Sequence, residues 1–176
     1  MQTVILAGGL ATRLRPITEK IPKALIEING KPFIDYQLNY LKKKGMTNVV
    51  LCTGFLAEQI IDYVGNGSRY DLKIIYSNDG DKLLGTGGAI KNAITHLDDD
   101  FFILYGDSFL PIEYNPVYEK FKQKNLSALM TILENNNLWD KSNVIFDGKQ
   151  INLYDKKNSF PQMNYVDYGL SICKKD

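Results

Sequence analysis

Three short runs contain no strongly polar residue: Val4-Ile5-Leu6-Ala7, Val49-Val50-Leu51-Cys52 and Phe101-Phe102-Ile103-Leu104-Tyr105. A strand that is apolar at every position has both faces covered, which in practice means a parallel sheet between helices. The intervening segments supply those helices. Over residues 33–44, Phe33, Tyr36, Gln37, Tyr40 and Leu41 follow the i, i+3, i+4, i+7, i+8 track of a helix face, with Gln37 as the imperfection in the stripe. Pro32 suits the start of that helix and Gly45 its end. Residues 57–64 read as a helix with Ile60, Ile61 and Val64 inward; 89–97 and 116–124 read as two more. Strands are expected at 72–76 and 128–133. This βαβα succession predicts an α/β fold: an open, mostly parallel sheet with helices on both faces.

Beyond Glu134 the pattern changes. Residues 143–146 and 151–154 flank Asp147-Gly148, a hairpin signal, and 165–173 reads as a last strand. The fold expected is thus Rossmann-like with a small β hairpin added. A chain of 176 residues fits one domain. With 21 Lys+Arg against 20 Asp+Glu, no broad field recruits nucleic acid or an anionic membrane. No run reaches transmembrane length and the first residues do not resemble a signal peptide, so a cytoplasmic location is expected. Cys52 and Cys173 fall in apolar strands and read as buried thiols.

The first strand runs into Gly8-Gly9-Leu10-Ala11-Thr12-Arg13-Leu14-Arg15-Pro16. In open α/β sheets ligands bind where the carboxyl ends of strands form a crevice, and glycines there let backbone N–H groups approach an anion. The loop lacks the G-x-G-x-x-G spacing of dinucleotide folds and the Gly-Lys-Ser/Thr of a Walker loop. It is followed by Arg13, and ten residues later by Lys23 in Pro22-Lys23-Ala24. Arg offers a fork for two phosphate oxygens and Lys a point charge, so the pair suits a polyphosphate. On spacing alone, a structural glycine turn with two solvated cations is an equal reading.

The long segment from Gly8 to Pro16, followed by Pro22-Lys23, resembles the signature of the sugar-1-phosphate nucleotidyltransferases, G-G-x-G-T-R-L-x-P and then P-K-P. Two positions depart from it: Ala11 stands for a glycine and Ala24 for the second proline. Ala11 is a mild change if its φ is negative and a strained one if the loop needs a positive φ. Leu83-Leu84-Gly85-Thr86-Gly87-Gly88-Ala89 resembles the family's L-G-T-G-G-A segment, in the variant seen in heptose-1-phosphate guanylyltransferases and, less closely, mannose-1-phosphate guanylyltransferases. Tyr105-Gly106-Asp107-Ser108 resembles the family's G-D motif, whose Asp holds a divalent cation; without the resemblance Asp107 reads as a turn residue.

The resemblance implies the following assignments. Arg13 and Lys23 are the catalytic cations, and Asp107 binds Mg2+. Leu6, Ala7, Gly8, Gly9, Asn78, Gly85 and Thr86 lie against the nucleotide, although Asn78 serves equally as a surface turn residue. Gly87, Asn143, Asp155, Lys156 and Asp167 line the pocket for the sugar 1-phosphate, with Asp155 and Asp167 at its hydroxyls and Lys156 at its phosphate. Asp155 and Lys157 replace the Glu and Pro of the family's E-K-P, and Asp167 has the alternative of an exposed strand position. His96 reads as a helix-end residue and Asp98-Asp99-Asp100 as a solvated turn.

The substrates implied are a nucleoside triphosphate, GTP by preference, and a heptose or mannose-like sugar 1-phosphate. The rivals are a uridylyl- or cytidylyltransferase and a non-catalytic nucleotide-sugar binder. A homo-oligomer is left open. The chain is expected to be a single nucleotidyltransferase domain, residues 1–176, lacking the family's C-terminal segment with its second metal-binding aspartate; Asp176 does not match that motif, having no glycine after it, and the alternative is an unusual acid elsewhere.

Overall fold

The computed structural model describes residues 1–80 and 82–175. In chain order the strands and helices are β1 (Gln2–Leu6), β2 (Glu27–Ile28), β3 (Lys31–Pro32), α1 (Phe33–Lys43), β4 (Asn48–Thr53), α2 (Ala57–Val64) and β5 (Lys73–Asn78). They continue as α3 (Gly85–Ala93), β6 (Asp100–Tyr105), α4 (Tyr114–Gln123), β7 (Ala128–Glu134), β8 (Val144–Phe146), β9 (Ile151–Tyr154) and β10 (Tyr165–Lys174). Eight strands form one sheet in the order β5-β4-β1-β6-β10-β8-β9, with β7 on the other side of β10. β5, β4, β1 and β6 are parallel, as the apolar runs require. β10 enters antiparallel to both β6 and β7. The hairpin β8–β9 extends this sheet through Tyr165, while β2 and β3 form a separate two-stranded ribbon that the sequence did not announce.

Alternate residues of the central strands serve two cores. Ile5, Val49 and Leu51 pack under Ile34, Leu38 and Leu41 of α1 and Ile60 of α2, with Phe121 of α4. Val4, Val50 and Cys52 pack under Ala89 and Ala93 of α3. Helices therefore cover both faces, and truncating a fully buried residue such as Leu51 to Ala costs about 2–5 kcal/mol. The expected helix at 89–97 begins four residues earlier, so the glycine-rich segment forms its first turn, and its end tightens into a 3-10 turn at Ile94–His96. Cys52 is buried, but Cys173 is only half-buried.

The geometry places every parallel strand's carboxyl end on one side of the sheet, where the loops after β1, β5 and β6 meet. Gly106 is required there: its N–H donates to Leu6 O at 2.9 Å, and a Cβ on it would lie 2.7 Å from that same oxygen. No helix among the described residues is long and apolar enough to cross a membrane.

Candidate active site

The ends of β1, β5 and β6 and the first turn of α3 enclose a cavity of about 300 Å3. Leu6, Ala7, Gly8 and Gly9 form one wall, Gly85 and Thr86 another, and Lys23 and Asp107 also line it. Eight of the residues singled out in the sequence thus converge on one space. Arg13 lines an adjoining hollow that shares Lys23 and Leu83 with the cavity. Between Ala11 and Leu25 the chain makes three successive 3-10 turns, which carry Arg13 and Lys23 to this rim. Lys23 Nζ donates to Asp107 Oδ2 at 2.6 Å.

Ala11 adopts φ 46°, ψ 46°, the left-handed conformation that the family's glycine accepts freely. Its strained alternative is therefore the one realised. The conformation aims the Ala11 carbonyl at two donors, Leu14 N–H at 3.0 Å and the Thr18 hydroxyl at 3.0 Å.

Gln37, the imperfection in the α1 stripe, is 2% exposed. Its Nε2 donates to Tyr105 O at 2.9 Å and to Ser108 O at 2.8 Å, clamping the turn that carries Asp107. Sequence reasoning assigned it no role; the polar residue on an apolar track was the available signal.

The residues expected at the sugar phosphate gather beside Tyr105. Asp167 Oδ2 accepts from Tyr154 OH at 2.7 Å and Tyr105 OH at 3.3 Å, and Lys156 Nζ lies 3.3 Å from the same oxygen. Lys156 also sits 4.6 Å above the Tyr105 ring. Burial opposes the Lys156 charge, but hydrogen bonding with Tyr154 and Tyr105 outweighs it and holds the pKa above the ordinary lysine value. Asn143 Oδ1 accepts the Asp167 N–H at 3.0 Å. Gly169, at φ 91° with space for no Cβ beside Ser108, permits the β10 register shift between Asp167 and Ser171.

Three residues sit differently. Asp155 spends both oxygens on its own turn, accepting from Lys157 N–H, Asn158 N–H and Asn158 Nδ2. Asn78 Oδ1 caps a turn by accepting from Gly80 N–H; its neighbour Asp79 lines the cavity instead. Gly87 lies in the first turn of α3 without lining the cavity. Asp176 lies outside the described residues.

The sequence profile described as nucleotidyl transferase matches residues 2–141. The chain belongs to this nucleotidyl transferase family. It is 32% identical over 177 residues to the D-glycero-alpha-D-manno-heptose 1-phosphate guanylyltransferase of Campylobacter jejuni subsp. jejuni serotype O:2, covering 100% of this chain and 77% of that protein. It is 34% identical over 138 residues to the N-acetylmuramate alpha-1-phosphate uridylyltransferase of Neisseria meningitidis serogroup B, covering 77% of this chain and 60% of that protein. Among solved structures, HddC from Yersinia pseudotuberculosis complexed with GMP-PN superposes with a TM-score of 0.80 at 29% identity, over 99% of this chain and 76% of that one. The two relatives named here are sugar-phosphate nucleotidyltransferases, and the Rossmann-like architecture described above is shared with HddC.

Proposed function

We propose that this chain transfers a nucleoside monophosphate from a nucleoside triphosphate to a sugar 1-phosphate, with GTP and a heptose or mannose-like sugar 1-phosphate as the preferred pair. A sugar-phosphate oxygen attacks the α-phosphorus, the bond to the bridging oxygen breaks, and pyrophosphate leaves. The incoming phosphate is already a nucleophile, so alignment and charge neutralisation are the catalysis required. Arg13 and Lys23 take the nucleotide phosphates, Lys156 takes the phosphate of the sugar, and Asp167 takes a sugar hydroxyl. The observation that carries this reading is the convergence of Lys23, Asp107 and the Gly8-Gly9 backbone on one cavity.

Mg2+ fits the donor set. Among the described residues no three His, Cys, Asp or Glu side chains cluster as a complete metal site, and Asp107 offers a single partly exposed carboxylate. Mg2+ is held in this way elsewhere, by one or two carboxylates with water and substrate phosphates. When bound, the ion would supply charge neutralisation on the phosphates.

The test is pyrophosphate release from GTP with D-glycero-α-D-manno-heptose 1-phosphate or mannose 1-phosphate as acceptor, with and without a chelator. Turnover that needs both substrates and stops in the chelator supports the proposal; nucleotide binding without turnover favours the non-catalytic reading. The Neisseria relative supports uridylyl transfer as the second reading, and UTP in the same assay separates the two.

A further inference from the structure

Lys156 stands just after β9 on an exposed turn, followed by Lys157 instead of the proline of the family's motif. A lysine on such a turn carries its charge on a flexible four-carbon stem and sweeps a wide arc unless something holds it. Here Nζ donates to the Tyr105 hydroxyl oxygen at 3.2 Å and lies 3.3 Å from Asp167 Oδ2. The Tyr105 hydroxyl in turn donates to that same Asp167 oxygen at 3.3 Å. One hydroxyl therefore accepts from the lysine and donates to the acid. An ammonium has three N–H groups. Tyr105 and Asp167 engage two of them, and with 53% of the side chain exposed the third is open to a ligand.

Tyr105 is also the last residue of β6, two positions before Asp107, and it lines the cavity. Its backbone is fixed from three sides. β6 is paired with β1 on one edge and with β10 on the other, and the Tyr105 carbonyl accepts from Gln37 Nε2 at 2.9 Å. The turn bearing Lys156 instead hangs on the short hairpin β8–β9, which meets the sheet only through Tyr165 and Val144. In-line attack needs the two phosphates held at one separation, and a mobile lysine would not hold it.

We infer that Tyr105 is a positioning residue, whose hydroxyl fixes Lys156 relative to Asp107 and so sets the spacing between the two substrates. It acts through Lys156 and not on a reacting atom. This inference rests on the transferase reading above, which puts the sugar phosphate at Lys156, and adds what holds that lysine in place.

The experiment is equilibrium binding of mannose 1-phosphate, and separately of GTP with Mg2+, to the wild-type chain, Tyr105→Phe, Lys156→Met and the double variant. Phe keeps the ring and removes only the hydroxyl, and thermal melting checks that each variant folds. Tyr105→Phe should weaken mannose 1-phosphate about fivefold or more, the scale of one charge-assisted hydrogen bond, and leave GTP within about twofold. With Lys156→Met already present, the same change should move mannose 1-phosphate by less than about twofold, because the hydroxyl has lost the group through which it acts. In pyrophosphate release, Tyr105→Phe should raise the KM for the sugar phosphate and leave that for GTP in place. A folded Tyr105→Phe that binds mannose 1-phosphate like wild type overturns the role of Tyr105 and leaves the transferase reading standing. So does an equal loss with and without Lys156. A wild type that binds GTP but not mannose 1-phosphate overturns the acceptor's place at Lys156 together with the role of Tyr105. A wild type that binds neither ligand overturns the transferase reading as well.

Discussion

Lys23 Nζ and Asp107 Oδ2 meet at 2.6 Å although 84 residues separate them in the chain. Their side chains are 39% and 47% exposed, so the pair contributes at most about 1 kcal/mol to stability. An interaction that weak is readily exchanged: a phosphate can take the lysine while a cation takes the carboxylate.

Arg13→Ala and Lys23→Ala should each therefore slow turnover by about 2–4 kcal/mol of transition-state stabilisation, the scale of one preorganised charge donor. Melting temperature should barely move, because both side chains lie at the rim. Rates of pyrophosphate release and thermal melts together check this; a wild-type rate in either variant would reduce that residue to a solvated cation.

Gln37→Leu should act on both folding and the cation. It strips the carbonyls of Tyr105 and Ser108 of the buried donor that joins them. The expected loss is about 1–3 kcal/mol in denaturant unfolding. The loosened Asp107 turn should also raise the Mg2+ concentration needed for half-maximal rate. Unchanged stability and an unchanged Mg2+ titration would show that the clamp is idle.

Ala11 is tested by moving it both ways. A left-handed L-residue costs about 1–2 kcal/mol, and glycine gives back about 0.4–1 kcal/mol through its freer unfolded chain. Ala11→Gly should thus stabilise the protein by up to about 1.5 kcal/mol. Ala11→Val, β-branched at φ 46°, should destabilise it and scatter Arg13 from the rim. Paired unfolding curves decide the order; Val more stable than Gly would contradict the backbone geometry.

Cys52 should be inert in the native protein. Burial pushes its thiol pKa up to about 12, so the thiolate is scarce at any pH near neutrality. Reaction with a disulfide reagent at pH 8 should leave Cys52 untouched until denaturant is added; rapid native modification of Cys52 would mean the strand opens.

The parallel half of the sheet was legible because Val4–Ala7-type runs without polar residues admit few other folds. Asp107 and the Gly8-Gly9 turn stand where strands end, which left a plain turn open for each; only the family resemblance pointed to a site there. Other features depend on partners far away in sequence. Gln37 looked like a flaw in a stripe until Tyr105 and Ser108 supplied the carbonyls that it binds. The sign of φ at Ala11 is set by Leu14 and Thr18. Asp167 faces Tyr105 and Tyr154 only because β10 shifts register beside Ser108, which no local pattern announces. Asp155 matched a motif position, yet its nearest neighbours Lys157 and Asn158 claimed its carboxylate.

The clamp from Gln37 to Tyr105 joins positions 68 residues apart, and Tyr105 reaches Asp167 across another 62. Closing such long loops is entropically costly, so these contacts form only when the sheet is nearly assembled. A partly denatured chain would then retain little of the cavity. A nucleotide that binds only the assembled state should shield distant segments as well as the pocket rim, so that protease cutting near β10 slows when a triphosphate occupies the ends of β1 and β6.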